Sequence, residues 1–526
     1  MTPQPLFKNL KSDIPASIVV FFVALPLCLG IALASGAPLF AGLIAGIVGG
    51  TFVGIISKSQ IGVSGPAAGL AAIVLASISD LGGLEGGGYE KFLAAVVIGG
   101  VIQIIFGVFR LGIIGYFFPS SVIKGMLSGI GLIIIMKQIP YFFGMPKEVV
   151  EAKGLFGSFG SISVGATLIA AIGIGLLLLW SNVLSKKAKI FTLIQGPLVV
   201  VVVGILFYLV TKSSGIALDP KAHLVQVPVP DDFGSFLGQF SFPNFSALSE
   251  PKVWIVGFTI ALVASLETLL CVEATDKLDP DKRVTPTNRE LFAQGTGNLF
   301  SGMIGGLPIT QVIVRSSANV QSGGKTKLSA ILHGFFLLLS VILIPGLLNN
   351  IPLSILASIL LIVGYKLASP ANFIKMFKLG WKQFVPFLAT VLPMVLHKGD
   401  LLLGIACGLA VAIVIILWKS FKNSHFLHME TTPEGKDHVK MTLAEEVTFF
   451  NKGAILKALD VLKEDSFLEL DITNTRYLEN DIVEILEDFS EKARLRNIEV
   501  SIISEDGVVK NPDSMIDYFK LRTDIA

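Results

Sequence analysis

Arg315 lies inside the otherwise apolar run 309–317. A charge in such a setting is costly and marks a functional residue by default. Its guanidinium combines a fixed positive charge with directional donors, which suits an oxyanion. Glu267, set in the apolar stretch 260–271, is the second conspicuous ionisable group. Desolvation pushes a buried carboxylate toward its neutral form, and a nearby cation holds it charged. Two Gly/Pro breaks, Gly65-Pro66 and Leu307-Pro308, complete the constellation. If a short helix starts at each break inside a membrane, two sets of free N–H groups and two positive dipole ends converge on one point. Proline is inexpensive at such a start, because its missing N–H would have lacked an intrahelical partner. Small residues at Ala67, Ala68 and Gly69 let an anion reach the backbone, and Thr310 and Val314 join Arg315 as binding candidates in the second segment.

Other titratable residues carry weaker signals. Lys124 and Lys366 fall near predicted helix ends, where long cationic side chains snorkel to the interface. His333 and His397 are solitary and read as packed or interfacial, and Glu273 and Asp276 as solvated at a helix end. The cysteines Cys28, Cys271 and Cys407 lie in apolar segments without a pairing or metal-ligand pattern. No catalytic constellation, nucleotide loop, metal cluster or cofactor motif is legible. An enzyme is not expected.

The elements that must position these residues are membrane spans. Hydrophobic residues make up 52% of the 526 positions and charged residues 15%, against about a quarter charged in soluble domains. The net charge of +2 argues against a nucleic-acid partner. The apolar blocks are long enough to cross a hydrocarbon core of roughly 30 Å, so the lipid bilayer is the expected solvent. About fourteen spans are expected, with a cytoplasmic N-terminus over 1–13. The first seven fall near 14–34, 38–56, 64–79, 92–109, 120–139, 161–181 and 190–211. The second seven fall near 252–272, 289–304, 308–321, 327–347, 352–368, 380–397 and 399–419. The transporter domain thus covers 14–419, as repeats 14–211 and 252–419. Spans one and eight begin about 240 residues apart, and so do the two Gly/Pro breaks. Matched, interrupted segments point to a transporter's midplane site, and an odd number of spans per repeat makes the repeats inverted.

Basic residues set the orientation. Lys58, Arg110, Lys186, Lys187, Lys189, Lys282, Arg283, Lys325, Lys327, Lys375 and Lys378 fall on one predicted side. The opposite loops are longer and less basic, notably 212–250 with Asp231, Asp232 and Glu250. This asymmetry makes the basic side cytoplasmic, and an even span count places both termini there. The expected location is the inner (plasma) membrane, multi-pass.

After Trp418 the composition changes. Residues 420–438 read as a polar linker, and 439–526 as a small α/β domain. Its expected elements are strands near 439–449, 467–472 and 499–504, with helices near 451–464, 480–495 and 511–520.

The chain resembles the SulP family of inorganic anion transporters, in the group that ends in a STAS domain. The resemblance rests on Ala24-Leu25-Pro26 through Gly30 and on Ser64-Gly65-Pro66-Ala67-Ala68-Gly69. Its strongest part runs from Asn288-Arg289-Glu290-Leu291 through Gly295-Thr296-Gly297-Asn298 and Gly305–Pro308. That part ends in Arg315–Asn319 and Gln321–Thr326. It implies seven-plus-seven inverted repeats divided into core and gate domains, a homodimer and elevator-like alternating access. It also implies that Arg315 lines the anion site and that Glu267 is the coupling carboxylate. Glu267 is expected to pair with Arg315 and to bind a coupling proton, sodium being the alternative. Sodium-dependent bicarbonate relatives have an aspartate there and a threonine one turn later; this chain has Glu267 and Cys271. The cargo expected is sulfate or bicarbonate, moved by symport or exchange. An anion channel, a dicarboxylate carrier on the same fold and a non-transporting scaffold or sensor are the rivals. In the STAS-like domain, the family's regulatory Asp-Ser-Ser-Gly is replaced by Glu479-Asn480-Asp481-Ile482. Without serine at 480 or 481 a phosphorylation switch cannot operate there. The domain reads instead as structural, or as the seat of a cytoplasmic protein partner.

Overall fold

The fold was analysed in a computed structural model. It describes residues 9–113, 118–187, 195–229, 237–397, 401–422, 425–431 and 437–520, with Phe7, Phe191 and Gly234 beside them. Lys189, Asp231 and Asp232 of the orientation reading lie outside the described residues. The chain divides into two compact units, Met1–Leu409 and Ala410–Ala526.

Over 10–422 the apolar blocks become helices, the last of which crosses the boundary between the two units. These are α1 (Leu10–Ala34), α2 (Leu39–Ile56), α3 (Ala68–Asp80), α4 (Gly88–Val108), α5 (Ser120–Phe142), α6 (Val164–Leu184) and α7 (Gly196–Thr211). The second half repeats the series as α8 (Pro251–Leu278), α9 (Thr287–Met303), α10 (Ile313–Gln321), α11 (Leu328–Leu343), α12 (Leu353–Leu367), α13 (Trp381–Leu396) and α14 (Leu401–Lys422). Among the described residues, eight helices are long and apolar enough to cross a membrane, and α3, α7, α11 and α13 are shorter apolar helices. Large apolar side chains such as Val108, Leu206, Phe258, Leu343 and Val414 stay exposed, as helices facing lipid require.

Packing partners follow the same repeat. The pair α1–α2 corresponds to α8–α9, α2–α11 to α9–α4, and α5–α13 to α12–α6, while α5–α12 maps onto itself. Each of these contacts therefore has its counterpart when the halves are exchanged. One set, α1–α4 with α8–α11, forms a core, and α5–α7 with α12 and α13 form the flanking gate.

The interrupted spans differ from the sequence expectation in one respect. Neither short helix starts at its proline. Pro66 lies in a three-residue strand, β1 (Ser64–Pro66), and Pro308 precedes another, β2 (Ile309–Gln311). The two strands pair antiparallel, Ser64 opposite Gln311, Gly65 opposite Thr310 and Pro66 opposite Ile309. Proline's fixed φ suits extended chain, and its missing N–H ends the ladder. The helices begin afterwards, at Ala68 and Ile313. The helix α8 also runs past the expected end, so Glu273 and Asp276 lie on it. Asp276 is not simply solvated, since it accepts from the Thr285 N–H and hydroxyl at 2.7 Å each.

The second unit holds the sheet β3 (His425–Thr431), β4 (Asp437–Leu443), β6 (Phe467–Asp471), β8 (Glu499–Ser504) and β9 (Gly507–Lys510), in that spatial order. The central three strands are parallel and the two edges antiparallel. A two-residue pair, β5 (Glu446–Val447) with β7 (Tyr477–Leu478), stands beside it. Helices α15 (Lys452–Asp460), α16 (Asn480–Leu495) and α17 (Met515–Lys520) bury Ile455, Leu459, Ile482, Leu486 and Phe519 in a core of its own. Two corrections follow. The stretch 420–438 is not all linker, because β3 occupies most of its described part. Its Phe426 and Met429 are exposed, so it lacks the buried alternation that reveals a strand. The strand read over 439–449 ends at Leu443, and β9 takes part of the interval before α17.

Candidate functional site

The β1–β2 ribbon is held from several sides. The Asn298 amide of α9 brackets Ile309, accepting from its N–H and donating to its carbonyl. Val312 N–H donates to the Val63 carbonyl at 3.0 Å, and Val63 N–H to the Ser316 hydroxyl at 3.0 Å. Gln311 N–H points to the Thr268 hydroxyl of α8 at 3.4 Å. This backbone is non-helical, yet it is buried in protein and satisfied, as irregular chain at membrane depth must be.

The two short helices leave the ribbon with uncapped N-termini. Ala67 and Val312 precede them in extended conformation, and neither helix has a side-chain cap. No N-cap side chain takes up their first N–H groups. One face of α8 meets both. Glu267 and Cys271, one turn apart, face the Gly69 N–H and the Ile313 N–H respectively. A β-carbon on Gly69 would come within 2.6 Å of both Glu267 carboxylate oxygens, so glycine permits that approach. Glu267 Oε2 is buried without a partner.

Arg315 sits in the first turn of α10 and is 1% exposed. Its Nη2 donates to the Cys28 thiol of α1 at 3.3 Å, and its Nη1 has no hydrogen-bond partner. Nη1 lies against Gly65 in β1. The expected pair is therefore not formed: among the described residues no ion pair joins Glu267 to Arg315. The guanidinium turns to α1 and β1, whereas the carboxylate turns to the start of α3. Opposite charges on α8 and α10 are thus aimed at different neighbours.

The remaining candidates divide. Ala67 and Gly69 are buried and Ala68 partly so, all at the start of α3. Thr310 is buried with its hydroxyl on the Gln311 carbonyl, 3.2 Å away. Val314 is 49% exposed, so it faces open space rather than the core. Gly65, Pro66, Leu307 and Pro308 are buried around the ribbon. His333 is buried in α11 with Nδ1 against the Ala330 carbonyl. Sequence reading missed Cys28, Ser64, Thr268, Gln294 and Gln311. The signal available was polar residues inside apolar segments, which the Gly/Pro breaks overshadowed.

Two cavities lie in the first unit. One of about 680 Å³ lies between the C-terminal ends of α1 and α3 and the helix α5, with Leu33, Ser79, Lys137 and Gln138 in its wall. Another of about 580 Å³ lies at the C-terminal end of α8, bounded by Glu273, Asp276, Lys282 and Arg283. There Asp279 accepts from Arg283 Nε at 2.6 Å. Burial alone would raise its carboxyl. The Arg283 hydrogen bond, backbone N–H groups and guanidinium charge together hold it below the usual carboxylate range.

The description "Sulfate permease family" belongs to the family model that matches residues 10–390. The Bacillus subtilis protein YvdB, whose name proposes sulfate transport, is 26% identical over 97% of this chain and 93% of its own length. The transmembrane domain of a cyanobacterium bicarbonate transporter, BicA, superposes with a TM-score of 0.63 at 26% identity, covering 77% of this chain and 98% of that one. Murine Slc26a9, an anion transporter solved in the inward-facing state, reaches a TM-score of 0.73 at 14% identity. It covers 95% of this chain and 86% of its own, a likeness of fold.

Proposed function

The chain belongs to the sulfate permease family, and from that premise we propose that it is a secondary transporter of a small inorganic oxyanion, sulfate or bicarbonate. The observation that carries this reading is the convergence of two uncapped helix starts on a ribbon backed by buried Arg315. Backbone N–H groups and positive dipole ends attract an anion without binding it irreversibly. Arg315 adds a full charge whose Nη1 has no protein partner. The anion is bound by Ala67, Ala68, Gly69, Thr310, Val314 and Arg315. Its access alternates as the core moves against the gate.

Movement against a gradient is driven by a proton at Glu267 or by a counter-anion. Cys271 supports the proton over sodium, since a thiol facing the Ile313 N–H is a poor ligand for a hard cation. The protein acts as a homodimer in the inner membrane, with both termini and the C-terminal domain in the cytoplasm. The test is a competition panel in proteoliposomes, with and without sodium and a pH gradient. Radiolabelled sulfate or bicarbonate should enter and be displaced by the unlabelled form. Entry of neither, or a preference for dicarboxylates, would refute the assignment.

A further inference from the structure

Glu290 is a buried carboxylate that the transport reading leaves unused. It lies in the first turn of α9 and is 1% exposed. Each of its oxygens accepts one hydrogen bond. The Ser57 hydroxyl donates to Oε2, and Gln294 Nε2 donates to Oε1 at 2.8 Å. The same amide nitrogen donates to the Ser64 hydroxyl of β1 at 2.7 Å. Gln294 is fully buried, and its own Oε1 has no partner. Ser57, Glu290, Gln294 and Ser64 thus form an unbroken line from the basic rim to the ribbon. At the rim, Lys327 Nζ caps the Ile55 carbonyl at 2.7 Å and Arg289 Nε the Ile56 carbonyl at 3.1 Å.

We infer that Glu290 is a second proton-binding site, through which the pH at the basic face of the membrane acts on the anion ribbon, with Gln294 as the positioning residue between them. The inference rests on the transport reading but not on Glu267. A plain structural carboxylate at a helix start would need only acceptor contacts. This site can satisfy both charge states. As a carboxylate, Glu290 accepts from Ser57 and Gln294. Once protonated it must donate, and half a turn of the Gln294 amide brings the unused Oε1 to receive that hydrogen. The same half-turn makes Ser64 donate to Gln294 instead of accepting, so the ribbon residue registers the proton. No bond is broken beyond the transfer of one proton from solvent to the carboxylate.

The charged groups around Glu290 are few. Asp276 approaches from α8, Arg289 stands beside it on α9, and Lys327 and Lys58 flank the rim. On α4, the buried Gln103 is engaged with Ser265 and Asn298. Protonation removes a negative charge that acts on the whole ribbon, whereas the turned Ser64 hydroxyl affects only its immediate partner. Acid at the basic face should therefore tighten anion binding there.

The experiment measures anion uptake by the full chain in inverted membrane vesicles, whose basic face is bathed by the medium. In the natural protein, KM should fall about fivefold or more as the medium goes from about pH 8 to about pH 6, the lower end of site-to-site coupling. In Glu290→Gln the dependence should shrink, and it should be flat once Glu267→Gln is added, whereas Glu290→Asp should keep a dependence with a displaced midpoint. A Glu290→Gln protein as pH-dependent as the natural one overturns the inference while leaving transport intact. Should that variant fail to fold, an unchanged midpoint in Glu290→Asp overturns it instead. Absence of any anion uptake would remove both the transport reading and this one.

Discussion

Nη1 of Arg315 lies so close to Gly65 that a β-carbon at position 65 would collide with it. The glycine of the first repeat thus makes room for the arginine of the second. Gly65 also pairs with Thr310 across the ribbon, so one small residue serves both the strand crossing and the buried charge. Gly65→Ala should cost about 1–3 kcal/mol, as overpacking of a tight interior does, and should weaken anion binding with it. Gly175 in α6 has no atom within 4 Å of its would-be β-carbon. Gly175→Ala should instead gain about 0.5–1 kcal/mol of helix stability. Thermal unfolding in detergent would compare the two, and equal behaviour would contradict the packing argument.

Arg315→Ala should reduce anion affinity by tens-fold or more, since hydrogen bonds to a charged group contribute about 1.5–3 kcal/mol each. The fold should persist, because among the described residues the guanidinium makes only the Cys28 hydrogen bond. Calorimetric titration of the monodisperse variant with sulfate and bicarbonate tests this. Unchanged affinity would remove Arg315 from the site.

The spans were legible because apolar runs of membrane length leave few other readings. The ribbon was not, because a three-residue strand inside an apolar block carries no period of its own. Pro66 and Pro308 marked the breaks correctly in sequence, but proline suits extended chain as well as a helix start. The Glu267–Arg315 pairing failed for a related reason: charge and span are readable, whereas the direction of a side chain depends on its neighbours. Only packing reveals that Gly69 opens space for Glu267 and Gly65 for Arg315. Gln294 was invisible for want of its partners, Glu290 on its own helix and Ser64 far away in the chain.

Ending the chain after Lys422 should leave anion binding intact. The ribbon, its two short helices and α8 all lie within the unit Met1–Leu409. Titration of the truncated membrane domain should reproduce the full-length affinity within about a factor of 3, the ordinary context scatter of half a kcal/mol or so. Loss of binding by a monodisperse truncation would make the C-terminal domain part of the site.

Asp471 gives the C-terminal domain a predictable response to acid. Burial would raise its carboxyl, but the Thr473 hydroxyl and N–H and the Lys440 ammonium hold it below the usual range. A carboxyl lowered in the folded state stabilises the fold above its unfolded value, about pH 3.9. That contribution is lost as pH falls toward the lower folded value. Protection factors across β4, β6 and β8, corrected for the intrinsic exchange rate, should therefore fall on acidification, and Asp471→Asn should blunt the effect. Identical acid profiles would discount Asp471 as a source of this stability.

Glu267 carries the prediction about coupling. It faces the Gly69 N–H at the start of α3, and its Oε2 is buried without a partner. An anion bound at the two helix starts would bring a second negative charge beside this carboxylate. Two like charges in a poorly solvated pocket favour taking up a proton. Linkage then requires the reverse, so that acid strengthens anion binding. Uptake should rise as external pH falls and be indifferent to sodium at constant pH. Glu267→Gln, which imitates the protonated acid, should lose this external pH dependence. Exchange of labelled for unlabelled anion should survive in that variant while accumulation driven by a pH gradient fails. Uptake by the natural protein that requires sodium at constant pH would instead make Glu267 a cation ligand. Cys271, one turn away, would then have to be tolerated in or excluded from the sodium shell, and Cys271→Thr should raise the sodium affinity.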